Sequence, residues 1–128
     1  MQRADFILVA APLTPATYHL VSREVLAAAK PGAGLINVGR AGVVDYDALR
    51  EALASGAIAG AILDVFDPEP LPASSPLWRT PNLILMPHCS SDDLDCYLPR
   101  TLDLVFQNVR RLIGGRPLKN VVDQRRGY

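Results

Sequence analysis

Four short, largely apolar runs without polar alternation constrain the fold of this 128-residue chain more than any other feature of its sequence. They cover residues 6–11, 34–38, 61–66 and 83–86. A strand inside a parallel sheet has this pattern, because helices pack on both of its faces and leave it no polar side. We therefore predict four buried strands, each covered on both faces.

Amphipathic helical segments separate the first three runs. Ser22 can cap a helix over residues 23–30, which the following Pro-Gly pair would end. Asp45 can cap a second helix over residues 46–55, and Gly56 would stop it. Buried strands that alternate with helices in this order form right-handed crossover units on a parallel sheet. The sequence therefore predicts an α/β fold.

A third helical repeat follows the fourth apolar run, over residues 98–113, and ends at Gly114. Pro99 would either open this helix in its first turn or kink it, and the pattern leaves both possibilities open. A parallel sheet of only four strands has two open edges and is incomplete by the usual standard. No Gly-x-Gly-x-x-Gly motif occurs, so the phosphate-binding turn of a dinucleotide fold is absent. The chain either binds no dinucleotide or is the second half of such a fold.

Composition excludes several classes of function. Thirteen basic and 13 acidic residues give a formal net charge of zero, which provides no general attraction for nucleic acid or for an anionic membrane. We see no signal peptide and no membrane-spanning segment in the sequence. Two cysteines, Cys89 and Cys96, are too few for a disulfide framework, and with His88 they lack a fourth ligand at zinc spacing. We expect a cytoplasmic protein with no metal site.

Chemistry-bearing side chains follow three of the predicted strands. Arg40 comes after the second strand, Asp64 and Glu69 belong to the third strand and the turn behind it, and His88 ends the fourth. The carboxyl ends of parallel strands meet at one edge of a sheet, where ligands bind. Taken singly, each residue also has a structural interpretation: a surface arginine, a hydrogen-bonded aspartate, a solvated turn acid and a structural histidine. If they converge, the arginine can bind a carboxylate and the histidine can exchange a proton.

Long, ordered motifs raise the odds of the functional interpretation. The chain contains Asn37-Val38-Gly39-Arg40, Leu63-Asp64-Val65-Phe66, Glu69-Pro70-Leu71-Pro72, Ser75-Pro76-Leu77-Trp78 and Pro87-His88, preceded by Ala11-Pro12-Leu13-Thr14-Pro15. In this order they resemble the D-isomer-specific 2-hydroxyacid dehydrogenase family, and the resemblance covers nearly the whole chain. The segment after Asp92 is similar to members that reduce glyoxylate and hydroxypyruvate.

The resemblance implies a fold, a reaction and a set of site residues. It implies an incomplete, Rossmann-like parallel sheet, with residues 1–115 as the second half of an NAD(P)-binding domain and residues 116–128 as a C-terminal extension. It implies an oxidoreductase that interconverts small 2-oxo acids and D-2-hydroxy acids with NAD or NADP, as a homodimer. The implied catalytic residues are Arg40, Glu69 and His88, and the implied cofactor-binding residues are Ala11, Pro12, Val38, Gly39, Arg40, Asp64, His88 and Ser90.

Two other functions remain open at this point. Some relatives of these dehydrogenases use the fold as a cofactor-sensing scaffold that binds other proteins, and the chain could also be an inert fragment of a longer product. One geometric expectation applies to the enzyme. Because consecutive crossover units leave the sheet on the same side, Glu69 should come within hydrogen-bonding distance of His88.

Overall fold

A computed structural model of the chain describes residues 2–93 and 95–128. Strands and helices alternate as the apolar runs predict. In chain order the elements are β1 (Phe6–Val9), α1 (Arg23–Ala27), β2 (Gly34–Asn37), α2 (Tyr46–Ser55), β3 (Gly60–Leu63), β4 (Leu83–Leu85) and α3 (Tyr97–Ile113). Single 3₁₀ turns at Ala41–Val43 and Pro76–Arg79 lie in the connections.

The four strands form one parallel sheet in the order β1-β2-β3-β4. This confirms the predicted α/β fold with its open sheet. The strands are shorter than the apolar runs, because each run continues into the loop at the carboxyl edge after its ladder hydrogen bonds have ended. Right-handed crossovers between consecutive neighbours place both crossover helices on the same face of the sheet. Accordingly, α1 and α2 contact each other.

The core lies between that face and the two helices. Its buried side chains come from alternate strand positions and from the inner sides of α1 and α2, and they include Val9, Leu26, Leu35, Leu49, Leu53 and Leu63. The opposite face is open, so the prediction of strands covered on both faces is wrong for it. Phe6 and Leu8 of β1 are 75% and 64% exposed, and Ile84 of β4 is 56% exposed. The physical reason is the strand order, which places both crossover helices, α1 and α2, on one side of the sheet.

The helix ends follow local sequence signals. The Ser22 side chain accepts a hydrogen bond from the Val25 N–H at the start of α1, and Asp45 Oδ1 accepts one from the Ala48 N–H at the start of α2. Gly56 ends α2 with a φ of +78°, a conformation that glycine adopts without strain. These three predictions are confirmed. Helix α1 stops at Ala27 and not at residue 30, so it is three residues shorter than predicted.

The chain forms two compact units, of which the first ends at Ser90 and the second begins at Ser91. The second unit contains α3, and Pro99 is the third residue of that helix. It therefore opens the helix in its first turn and does not kink it. No helix in the described part of the chain has both the length and the apolar character needed to cross a bilayer. The predicted boundary between residues 115 and 116 stays a prediction.

Candidate active site

The loops that follow the four parallel strands leave the sheet at one edge. Every predicted site residue lies in one of these loops: Ala11 and Pro12 after β1, Val38, Gly39 and Arg40 after β2, Asp64 and Glu69 after β3, and His88 and Ser90 after β4. The first two loops are in close contact. A Cβ on Gly39 would lie 2.7 Å from the Ala11 carbonyl oxygen, a distance that real Cβ atoms do not reach. The sequence therefore needs glycine at this position.

Glu69 and His88 form a hydrogen-bonded pair. His88 Nδ1 lies 2.8 Å from Glu69 Oε2, which confirms the expected contact between residues 19 positions apart. The other carboxylate oxygen, Oε1, accepts a hydrogen bond of 2.7 Å from the Phe66 N–H. Because Nδ1 faces a carboxylate, we assign the ring proton to Nδ1, and this leaves Nε2 to exchange a proton with a ligand. The side chain of His88 is 46% exposed, so a ligand can reach it.

The surroundings of Glu69 favour its charged form. The hydrogen bond from His88, the Phe66 N–H and the positive charges of His88 and Arg40 hold the pKa of Glu69 below the ordinary glutamate value. The loop that carries Arg40 leaves the sheet at the same edge as the loops that carry Glu69 and His88. Arg40 itself is exposed, and its Nη1 donates to the Gly39 carbonyl at 2.8 Å. The remaining guanidinium nitrogens can bind an anion.

Asp64 anchors the loop that carries His88. Its side chain is buried, with 1% of the residue surface exposed. Oδ1 accepts a hydrogen bond from the Cys89 N–H and Oδ2 accepts one from the Ser90 N–H, both at 2.8 Å. Between these anchors and β4, His88 has a φ of +57°, which is strained for a residue other than glycine. The two hydrogen bonds offset that strain and fix the backbone from which the His88 side chain extends.

The charge of Asp64 is stabilised in place. Burial raises the pKa of Asp64, but hydrogen bonds from the Ser90 side chain and from the Cys89 and Ser90 N–H groups, together with the His88 charge, outweigh burial. The net pKa lies below the ordinary aspartate value. The sequence allowed Asp64 to be either a hydrogen-bonded structural residue or a ligand contact. The structure shows the structural hydrogen bonds. The contact of Asp64 with a cofactor stays a prediction.

Two hydrogen-bonded polar residues at this edge, one buried and one partly buried, were missed by sequence reasoning. Asn37, the last residue of β2, is fully buried, and Tyr46 begins α2. Asn37 Nδ2 donates to the Tyr46 hydroxyl at 3.0 Å, and that hydroxyl donates to the Val65 carbonyl at 2.8 Å. An asparagine inside an apolar run was a usable signal, because a buried amide needs partners. No comparable signal marked Tyr46.

A largely apolar cavity of about 580 Å³ lies beside the Glu69 and His88 pair. It is lined by these two residues and by Phe66, Pro70, Leu71, Trp78, Leu85, Met86 and Pro87. An apolar wall strengthens charge interactions next to it by keeping water away. Nowhere in residues 2–93 and 95–128 do three or more His, Cys, Asp or Glu side chains cluster as a metal site requires.

The carboxyl edge suits one end of a dinucleotide. Small residues at Ala11 and Gly39 bring backbone to the edge, where a flat ring can approach closely. The phosphate-binding glycine turn is absent from the sequence. The residues present thus fit a flat ring of the cofactor, and the turn that would hold the pyrophosphate does not lie among them.

Comparison with known proteins agrees with this geometry. The chain is 54% identical over 91 residues to glyoxylate/hydroxypyruvate reductase B of Pectobacterium carotovorum subsp. carotovorum (strain PC1), which is 71% of this chain and 28% of that protein. A D-isomer specific 2-hydroxyacid dehydrogenase from Xanthobacter autotrophicus Py2, solved with NADPH and MES, superposes with a TM-score of 0.85 at 47% identity. That match covers 97% of this chain and 50% of the solved chain.

A second solved structure shows the same likeness at lower identity. The NADPH-dependent glyoxylate/hydroxypyruvate reductase of Sinorhizobium meliloti, solved with NADP and sulfate, matches with a TM-score of 0.87 at 34% identity over 99% of this chain and 41% of that one. The chain thus spans half or less of the length of these three relatives. Residues 1–90 match the NAD binding domain of the D-isomer specific 2-hydroxyacid dehydrogenases, and the chain belongs to that family.

Proposed function

We propose that this chain supplies part of the active site of an NAD(P)-dependent oxidoreductase that interconverts 2-oxo acids and D-2-hydroxy acids. The observation that carries the proposal is the 2.8 Å contact between Glu69 and His88 at the carboxyl edge, where the loop that carries Arg40 also leaves the sheet. A proton donor, its carboxylate partner and an anion-binding cation are what reduction of a 2-oxo acid requires.

Each of the three side chains has a distinct task. In the direction of reduction, His88 donates the proton on Nε2 to the carbonyl oxygen of the substrate as negative charge develops there. Glu69 holds the imidazole through Nδ1 and fixes its orientation, so that Nε2 faces the substrate. Arg40 binds the substrate carboxylate with its planar fork and polarises the adjacent carbonyl. The same groups act in reverse during oxidation of the hydroxy acid.

The residues proposed to hold the cofactor line the same edge, with Ala11 and Pro12 on its adenine side and the loops after β2 and β4 near its nicotinamide. They are Ala11, Pro12, Val38, Gly39, Arg40, Asp64, His88 and Ser90. When bound, NAD(P)H supplies the hydride, and the protein supplies geometry and electrostatics. The NADPH and NADP with which two similar proteins were solved support this class of cofactor. The names of those relatives support glyoxylate and hydroxypyruvate as the first substrates to test.

A chimeric enzyme tests the proposal. The 91-residue segment of the Pectobacterium reductase that aligns with this chain is replaced by the aligned residues of this chain. Oxidation of NADPH and NADH is then followed with glyoxylate and with hydroxypyruvate. His88→Ala should remove most of the activity, whereas Arg79→Lys, a change at an exposed arginine outside the site, should leave it intact.

The outcomes separate the enzyme from its alternatives. Turnover that survives in the His88→Ala chimera would contradict the proposed acid. A parent chimera that folds and binds the cofactor without any turnover would support the cofactor-sensing scaffold. A chimera that folds but binds no cofactor would support an inert segment.

We further propose a cytoplasmic homodimer. In the described residues, β1 and β4 each have one edge without a neighbouring strand, and such edges promote association. Two free cysteines, Cys89 and Cys96, suit a reducing compartment. Light scattering over a range of concentrations tests the dimer. A molar mass that stays equal to that of a single chain would refute it.

A further inference from the structure

A single side chain closes the turn that carries Arg40. Asn37 Oδ1 accepts a hydrogen bond of 3.0 Å from the Gly39 N–H, and Asn37 Nδ2 donates to the Arg40 carbonyl at 3.2 Å. The amide orientation follows from these contacts, since a flipped amide would place NH₂ against the Gly39 N–H. The position of the Arg40 backbone therefore depends on the placement of the Asn37 side chain.

The Tyr46 hydroxyl connects that turn to the segment that follows β3. It accepts the second hydrogen of Asn37 Nδ2 at 3.0 Å and donates its own proton to the Val65 carbonyl at 2.8 Å. All three polar positions of the Asn37 amide are thereby used. Burial raises the pKa of Tyr46 well above the ordinary tyrosine value, so the hydroxyl keeps its proton and remains a donor.

Val65 is the central residue of the other half of the proposed site. It follows Asp64, which anchors the His88 loop, and it precedes Phe66, whose N–H holds Glu69. Val65 is buried, so its carbonyl would lose its hydrogen bond without gaining water if the hydroxyl were removed. The Tyr46 hydroxyl oxygen is thus hydrogen-bonded both to Asn37, which closes the Arg40 turn, and to the segment that positions Glu69 and His88.

We propose that Tyr46 is a positioning residue whose hydroxyl sets the spacing between the Arg40 turn and the Glu69 and His88 pair. A 2-oxo acid carries its carboxylate and its reacting carbonyl on adjacent carbons, so the anion-binding and proton-donating groups must keep a defined separation. Tyr46 acts on that separation without touching the substrate. This inference rests on the roles proposed for Arg40 and His88, whereas the bridge itself is a property of the chain.

The first test uses the 128-residue chain and reads the bridge without any activity. Tyr46→Phe removes only the hydroxyl, and Tyr18→Phe is the matched control because Tyr18 is 62% exposed. Hydrogen exchange of the Gly39 amide, measured by NMR, should become roughly tenfold faster in Tyr46→Phe, as loss of one buried hydrogen bond predicts. The control should not change. Unchanged Gly39 exchange in a folded Tyr46→Phe chain would overturn the inference.

A measurement on the unmodified chain covers the case in which Tyr46→Phe does not fold. In tyrosine-labelled protein, the Tyr46 hydroxyl proton should be protected from exchange with water, unlike that of Tyr18. A Tyr46 hydroxyl proton that exchanges as fast as the Tyr18 proton would also overturn the bridge.

The second test uses the chimera and separates positioning from stability. Tyr46→Phe should raise the KM for the 2-oxo acid at least fivefold and change the KM for NADPH less than twofold. Simple destabilisation would lower kcat through the folded fraction and leave the substrate KM unchanged, and that result would refute positioning. If the parent chimera is inactive, the proposed function fails, and the exchange measurements still decide whether the bridge exists.

Discussion

Asp64 provides the most direct quantitative prediction, because a single substitution removes its charge and keeps its shape. In Asp64→Asn, the side chain retains one acceptor oxygen and gains an NH₂ group. Two backbone N–H groups, those of Cys89 and Ser90, currently point at the two carboxylate oxygens at 2.8 Å. One of them would face the new NH₂ and lose its acceptor.

The cost follows from the contacts. A hydrogen bond to a charged group contributes about 1.5–3 kcal/mol, and leaving a buried donor without an acceptor costs about 1–3 kcal/mol more. Since Asp64 is 1% exposed, water does not replace the lost bond. Some relaxation of the His88 loop will reduce the sum. We therefore expect Asp64→Asn to lower the free energy of unfolding by about 3 kcal/mol at neutral pH.

Urea denaturation followed by tryptophan fluorescence measures this change. Trp78 is the only tryptophan of the chain and belongs to the same compact unit as Asp64, so its signal reports that unit alone. The control is Asp47→Asn, which removes one exposed ion pair with Arg50 and should cost less than about 1 kcal/mol. Equal denaturation midpoints for Asp64→Asn and Asp47→Asn would refute the anchoring role.

The dependence on pH gives a second check on the same residue. The pKa of Asp64 in the folded chain lies below the ordinary value of 3.8. Its contribution to stability is therefore complete above that ordinary value and is lost as pH falls through the lower, folded value. The stability difference between the parent and Asp64→Asn should be constant near neutrality and shrink in that acidic window. A difference that grew on acidification would contradict the lowered pKa.

Four further predictions concern other parts of the site. His88→Gln should raise the pKa of the Glu69 carboxyl toward 4.5, because it removes the largest cause of the depression, and carbon NMR should show unchanged midpoints for the other glutamates. Gly39→Ala should lower the free energy of unfolding by about 1–3 kcal/mol, because the new Cβ would collide with the Ala11 carbonyl, and a urea midpoint equal to the parent's would disprove the contact. Arg40→Lys in the chimera should lower kcat/KM for glyoxylate by a factor that corresponds to about 2 kcal/mol of transition-state stabilisation, because lysine lacks the planar fork of arginine. The affinity for NADPH should change little. The 128-residue chain alone should bind NADH weakly in a fluorescence titration, because the phosphate-binding turn is absent, and micromolar affinity would count against this reasoning.

The sequence by itself determined the elements and their order. Largely apolar runs and helical spacing predict a parallel α/β sheet, and the signals at Ser22, Asp45 and Gly56 predict helix ends to within a few residues. These signals depend on neighbours along the chain, so they can be interpreted without a fold. Topology then extends the prediction to one long-range contact. Parallel strands share a carboxyl edge, which is why the Glu69 and His88 contact was foreseeable.

Only the tertiary structure decided which sheet face is covered and which polar groups are buried together. Phe6 and Leu35 belong to equally apolar runs, yet one is 75% exposed and the other fully buried, because the crossovers pack on a single face. Tyr46 appears in the sequence as an ordinary first residue of an amphipathic helix. Its hydroxyl meets Asn37 and Val65 only when α2 packs across the ends of two strands. Such contacts depend on strand register and helix placement in three dimensions, and no local pattern of residues encodes them.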